Sequence, residues 1–342
     1  MPEKKYKKAL ITGACGFCGS YMAELLLENG YDVRGTCRET SDKKYIKNLN
    51  MEFMPADLTQ SKDWPNVLDG VDVVFNTAAI FDYLPGLEEM RKVNVEGTKN
   101  LLEAAKNAGV KRFVHWSTVD IYGDPLPKFT PITESHPINP KNPYQITKWE
   151  QEKLVVDFCE KNKIDFTIIR PCPIYGPRSE YGIVSIPIVI GKGYALFYLN
   201  NSKLHLPFVH VKDVCRAALF LAEREDTVGE IYQVCDDTWY THERVFGYIA
   251  EIFGIRREMV GLPLPVWLVK IMLKNLAVSW RKKSKKAFPR RMPFDADELD
   301  YGYNDYRFSN AKLKNLGFKF DYPDFTVGMP ETIEWLNKNN LI

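Results

Sequence analysis

The amino-acid sequence predicts an α/β fold: a parallel β-sheet wound on both faces by helices, with a smaller, mostly C-terminal lobe beside it. Three observations carry this expectation. Short β-branched runs alternate with helical stretches through the first half of the 342-residue chain. A glycine-spaced turn, "TGACGFCGS", joins the first such run to the first helix. After "RPCPIYGPR" at 170–178 the alternation breaks, and proline, glycine and aromatic residues thicken.

The strand-like runs are "KALITG", "YDVRGTC", "VDVVFNTAA", "KRFVHWST" and "DFTIIRP". Alternation of such runs with helices means βαβ units and a sheet covered on both faces. In "NVEGTKNLLEAAKNAG", Val95, Leu101, Leu102, Ala105 and Val110 fall near helical spacing, and Gly109 supplies the stop. The same texture returns at "HLPFVHVKDVCRAALFLAE" and "EIYQVCD". The expected division is a dinucleotide-binding core over 1–175 plus about 205–240, and a substrate-binding lobe over 176–204 plus 241–342.

Hydrophobic content of 45% and charged content of 26% are ordinary for a soluble enzyme. A net charge of +2 gives no footprint for nucleic acid. The seven cysteines (15, 18, 37, 159, 172, 215 and 235) are scattered and read as reduced thiols of a cytoplasmic protein, not as a disulfide framework. No apolar segment resembling a signal peptide precedes the first strand, and no uncharged apolar run approaches the roughly 18 residues of a membrane span.

Gly13, Gly16 and Gly19 stand three apart between the first strand and helix. Glycine suits such places because a tight turn needs positive φ, the backbone must approach a pyrophosphate, and the helix must pack closely on the strand. The helix start then offers N–H groups and a positive dipole end to phosphates. Cys15 and Cys18 occupy the spacers. A zinc site would need a second matched pair, and a redox pair its own helix start, so the phosphate-loop reading is preferred. In the second strand, Thr36 and Cys37 stand where an acid would take ribose hydroxyls, and Arg38 follows. A guanidinium there suits a 2′-phosphate, so NADP(H) is preferred over NAD(H). The competing reading is a solvated Arg38, with Glu39 and Asp42 nearby.

"NPYQITKWEQEKLV" sets Tyr144 and Lys148 four apart, on one face of a helix. A tyrosine works as acid or base near neutrality only if its pKa falls, and a neighbouring ammonium favours the phenolate. Ser117 and Thr118 end the strand in "FVHWSTVDIYG", where a hydroxyl reaches a substrate oxygen or simply finishes the strand's hydrogen bonding. The five histidines show no ligand spacing, so no metal is expected; His115 and His210 read as core.

With these residues in place, the chain resembles the extended short-chain dehydrogenases/reductases, the superfamily of NAD-dependent epimerases and dehydratases, whose core is a Rossmann-like doubly wound sheet. The matching stretches run almost end to end: "TGACGFCGS", "ADL", "NTAA", "VNVEGT", "STVDIYG", "YQITK", "IIRPCPIYGPR", "FVHVKDV" and "FSNAKLKNLGF". The resemblance implies Tyr144 as general acid/base, Lys148 on the nicotinamide ribose and Thr118 orienting the substrate oxygen. It implies cofactor contacts from Gly13, Gly16, Phe17, Cys18, Gly19, Asp57, Leu58, Thr77, Ala78, Ala79, Ser117 and Pro171, beside Arg38. Asn94 and Asp213 resemble residues more often structural than catalytic, and a homodimer through the core helices is implied.

The expected reaction interconverts a secondary alcohol and a ketone by hydride transfer. Dehydratases of the family carry Asp-Glu directly after the threonine; here Val119-Asp120 stands instead, against that activity. A UDP-hexose 4-epimerase with tightly held NAD would need basic groups for a diphosphate, for which Arg178, Arg290 and Arg291 are candidates. A flavonoid- or aldehyde-type reductase is a further alternative. The apolar stretches "YGIVSIPIVIGKGYALFYLNN" and "MVGLPLPVWLVKIMLKNLAVSW" favour a hydrophobic pocket, and resemble the 3β-hydroxysteroid and sterol 4α-carboxylate dehydrogenase branch. A steroid- or sterol-like substrate is therefore expected, touched by Phe81, Val119, Asp120, Tyr175 and Tyr181. Residues 262–291, apolar and then basic, fit either peripheral contact with an anionic membrane or a lid helix with a solvated loop.

Overall fold

The computed structural model describes residues 5–81, 86–124, 129–193, 197–199, 203–255, 260–262 and 301–342, with isolated positions between 264 and 275. Six strands, β1 (Lys8–Thr12), β2 (Asp32–Thr36), β3 (Glu52–Phe53), β4 (Val73–Asn76), β5 (Arg112–Trp116) and β6 (Asp165–Pro171), join the later strand Glu230–Val234 in one sheet. Across the sheet the order is Glu230–Val234, β6, β5, β4, β1, β2, β3, and every pairing is parallel. The winding reverses between β1 and β4, and a crevice opens there beyond the strands' C-terminal ends.

The α-helices described are α1 (Phe17–Glu28), α2 (Trp64–Val67), α3 (Leu87–Arg91), α4 (Gly97–Asn107), α5 (Pro143–Asn162), α6 (Ser185–Gly191), α7 (Val211–Ala222) and α8 (His242–Ile252), then a short one at Ala311–Asn315 and a last helix at Phe325–Lys338. Along β1 the side chains alternate between two apolar layers, although both sides are buried. Ala9 and Ile11 join Met22 and Leu26 of α1 and Val214, Ala218 and Leu221 of α7. Leu10 joins Leu101 and Leu102 of α4 and Val155 and Cys159 of α5. Each fully buried leucine of this kind contributes about 1.5–3 kcal/mol. A third cluster gathers Ile186 of α6, Ile249 of α8 and Phe325 and Ile333 of the last helix with Tyr175, Phe208 and Tyr240 from outside these helices.

α3 runs into α4 through a wide π-helical turn, Lys92–Glu96. Asn94 lies in that turn; its carbonyl accepts the Ile80 N–H at 2.8 Å, and its amide donates to Thr147 Oγ1 of α5 at 3.2 Å. Asp213 accepts the backbone N–H groups of Asp321 and Tyr322 at 3.0 and 2.7 Å, a purely structural use of the carboxylate.

The cysteines depart from expectation. Cys15 and Cys37 form a disulfide with Cα atoms 6.2 Å apart, while Cys18, Cys159, Cys172, Cys215 and Cys235 are free. The cause is the sheet: Thr12 at the end of β1 lies opposite Thr36 at the end of β2, so the residues just beyond each strand meet. Among the described residues no helix is long and apolar enough to cross a membrane.

Candidate active site

The crevice deepens into a cavity of about 1030 Å³, large enough for a dinucleotide and a second molecule. One end is the glycine loop. Gly13 has φ +68°, and a Cβ on Gly19 would lie 2.2 Å from the Gly13 carbonyl oxygen, so α1 can approach β1 this closely only through glycine. Gly16 caps α1 without any side-chain bond to the helix N–H groups. Gly13, Gly16, Phe17, Cys18 and Gly19, around that helix start, line the cavity.

Beside the loop, Thr36, Cys37 and exposed Arg38 continue the wall from the end of β2, with Asp57 and Leu58 opposite. Asp57 is held in a local turn, its Oδ1 accepting the N–H and the hydroxyl of Thr59, both at 2.8 Å. Thr77, Ala78 and Ala79 follow β4; Thr77 donates to the Thr12 carbonyl at 2.6 Å and so pins the crossover floor. Two wall hydroxyls, Thr36 Oγ1 and Ser117 Oγ, are buried with no hydrogen-bond partner in the described structure. The glycine cradle at the start of α1, where backbone N–H groups are left without a side-chain cap, fits the diphosphate of a dinucleotide.

Further along stand Thr118, Tyr144, Lys148 and Pro171. α5 starts at the right place because Asn142 and Gln145 form a reciprocal capping box and Pro143 occupies its first turn. Tyr144 is thereby in the opening turn and Lys148 one turn on, both buried and both on the cavity wall. Lys148 Nζ donates to the Trp116 carbonyl at 2.7 Å and to Gln151 Oε1 at 2.5 Å. Burial lowers its pKa to about 7, against the opposing pull of the Glu152 carboxylate. Thr118 Oγ1 accepts the Asp120 N–H at 3.1 Å, which leaves the hydroxyl hydrogen for another partner. His115, behind Lys148, is held neutral by burial and by that lysine's charge.

The remaining walls are mostly apolar. The Phe81 ring meets Tyr144 edge-on at 4.9 Å and lies 5.4 Å from Tyr181. Ile183, Ile186, Val189, Leu206, Phe246 and Val269 extend this surface. Asp120 faces the same space, accepting a hydrogen bond from the Tyr301 hydroxyl. His242, whose pKa burial lowers to about 4, hydrogen-bonds the Tyr301 carbonyl at 3.1 Å. Val269 belongs to the apolar stretch expected to wall a hydrophobic pocket, whereas Tyr301, His242 and Phe246 escaped the sequence reading, since no motif surrounds them.

Two of the expected substrate contacts lie elsewhere. Val119 points into the core, 1% exposed, and does not reach the cavity. Tyr175 is fully buried against Phe208 and His210. Arg178 is also outside: it pairs with Glu24 at 2.6 Å and bonds Ser20 at 3.1 Å. Arg290, Arg291 and the basic run from 281 fall outside the described residues, while Trp267, Ile271 and Met272 of the preceding apolar stretch are exposed. Among the described residues no cluster of three or more metal-capable side chains occurs.

Residues 9–235 match the model of the NAD dependent epimerase/dehydratase family. Cinnamoyl-CoA reductase 2 of Medicago truncatula is 31% identical over 328 residues, covering 91% of this chain and 86% of that protein. Sterol demethylase protein B of Methylococcus capsulatus is 28% identical and covers 88% of each chain. Among solved structures, the crystal structure of gox2253 superposes with a TM-score of 0.79 at 26% identity, covering 98% of this chain and 99% of that one.

Proposed function

We propose that this chain, a member of the NAD dependent epimerase/dehydratase family, is an NADP(H)-dependent oxidoreductase that interconverts a secondary alcohol and a ketone on an apolar, steroid- or sterol-like molecule. The observation that carries the reading is that Tyr144, Lys148 and Thr118 line the same cavity as the glycine loop. When bound, the nicotinamide supplies or accepts the hydride. Tyr144 Oη gives a proton to the substrate oxygen in reduction and takes it in oxidation. The Lys148 ammonium favours the phenolate of that tyrosine. Thr118, its lone pair engaged by the Asp120 N–H, directs its hydrogen at the same substrate oxygen. Arg38, on the cavity wall just past the end of β2, supports the preference for a 2′-phosphate.

The substrate class follows from the wall chemistry. Beyond Lys148 the described lining carries Asp120 and neutral His242 but no lysine or arginine. Among the described residues of that wall, a nucleotide diphosphate would meet a carboxylate with no cation to offset it. Apolar walls rimmed by Phe81, Tyr181 and Tyr301 suit a flat hydrophobic body instead.

The test is a screen of steroids, flavonoid-like ketones, aldehydes and UDP-sugars followed by NADPH absorbance, with Tyr144→Phe as control. Steroid-class turnover that the variant loses, with NADPH affinity kept within about threefold, is the expected result. C4 inversion of a UDP-sugar, or full turnover by the variant, overturns the reading.

A further inference from the structure

We propose that the Cys15–Cys37 disulfide is a thiol–disulfide switch on dinucleotide affinity. The inference rests on the cofactor reading above. Both cysteines line the cavity, one from the glycine loop and the other one residue before Arg38. Their bond therefore cross-links the two backbone segments that would hold a diphosphate and its ribose. Besides the sheet ladder, a 3.0 Å bond from the Ala14 N–H to the Thr36 carbonyl joins these segments. The covalent link fixes the loop further, and a binding site fixed in advance loses less entropy when its ligand arrives.

Access is built in as well. Cys15 is only partly buried and faces the open cavity, whereas free Cys159, Cys172, Cys215 and Cys235 are buried. A small dithiol can reach the bond. One of its thiolates attacks a protein sulfur, the S–S bond breaks, and a mixed disulfide forms; its second thiol then resolves that intermediate. The protein gains two electrons and two protons as two thiols, and the reductant departs as a disulfide. Linkage makes the effect reciprocal: if reduction weakens dinucleotide binding by some factor, bound dinucleotide makes the disulfide harder to reduce by the same factor.

The experiment uses the full chain, oxidised with diamide or reduced with dithiothreitol, with NADPH affinity read by fluorescence and thiols counted by mass after alkylation in denaturant. Five thiols are expected in the oxidised protein and seven after reduction. Reduced protein and Cys15→Ser should both bind NADPH about tenfold more weakly than oxidised wild type, a change of roughly 1.4 kcal/mol. Dithiothreitol should leave the affinity of Cys15→Ser unchanged, and bound NADPH should retard reduction of the wild type. Equal affinity of the oxidised and reduced protein within twofold, or seven thiols after diamide, overturns the switch alone. Absence of dinucleotide binding in every state overturns the cofactor reading and the switch with it.

Discussion

Replacing Lys148 by methionine should change how stability depends on pH, in a way that measures the cost of this buried cation. Lys148 is 3% exposed, and burial takes its pKa from 10.5 to about 7. One pKa unit corresponds to about 1.4 kcal/mol, so the folded ammonium carries about 5 kcal/mol of unfavourable free energy where both states are protonated. Between about pH 7 and 10.5 the unfolded chain holds a proton at this lysine that the folded chain has released. Stability therefore rises with pH through that window, and the penalty is greatest below it. From pH 6.5 to 8.5 the expected gain is roughly 2 kcal/mol for the wild type and none from this site in Lys148→Met. Losing the bonds to the Trp116 carbonyl and Gln151 adds an offset that does not vary with pH. Urea unfolding of the cofactor-free proteins at several pH values, followed by tryptophan fluorescence, gives the difference directly. If the gap between wild type and variant stays constant within about 0.5 kcal/mol across that range, the lysine is not depressed and the argument fails.

Three other outcomes are expected. Arg38→Ala should weaken NADP(H) binding by about 10–100-fold, the worth of a charge-assisted contact, while NAD(H) affinity moves little; parallel titrations with both dinucleotides decide it. Gly19→Ala would set a Cβ 2.2 Å from the Gly13 oxygen and 2.9 Å from the Ala14 Cα, both backbone atoms; a loss of about 1–3 kcal/mol in unfolding free energy and at least tenfold in dinucleotide affinity should result, by denaturation and by titration. Glu152→Gln strips the carboxylate from Arg170, whose side chain is 4% exposed and also bonds the Tyr122 hydroxyl at 2.7 Å. The urea midpoint should drop by the equivalent of about 3–5 kcal/mol, and a second change, Arg170→Met, should recover part of it.

The features legible in the sequence are those whose physics is local. The glycine loop, the helix that opens at Tyr144 and the runs that form β1, β2, β4, β5 and β6 each announce themselves within about twenty residues. Strand β3 is two residues long and has no period to detect. The disulfide stayed hidden because its halves are 22 residues apart, and only the pairing of Thr12 with Thr36 brings them together. Val119 and Tyr175 misled because adjacency to a motif says nothing about which way a side chain faces. Conversely, Tyr301 and His242 reach the cavity through contacts with Asp120 and with each other's segments that no short window contains.

The clasp of Arg178 on Glu24 has a temporal meaning. The two residues are 154 positions apart, so a ribosome adding about 5–20 residues per second makes Glu24 roughly 8–30 s before its partner. Strand β1, nearly central in the finished sheet, is made before its neighbour β4 and waits for it on one side while α1 waits for its clasp. Helix α1, which opens at the glycine loop, is thus made long before the residue that clasps it, and a polypeptide released before residue 178 would carry it without that restraint.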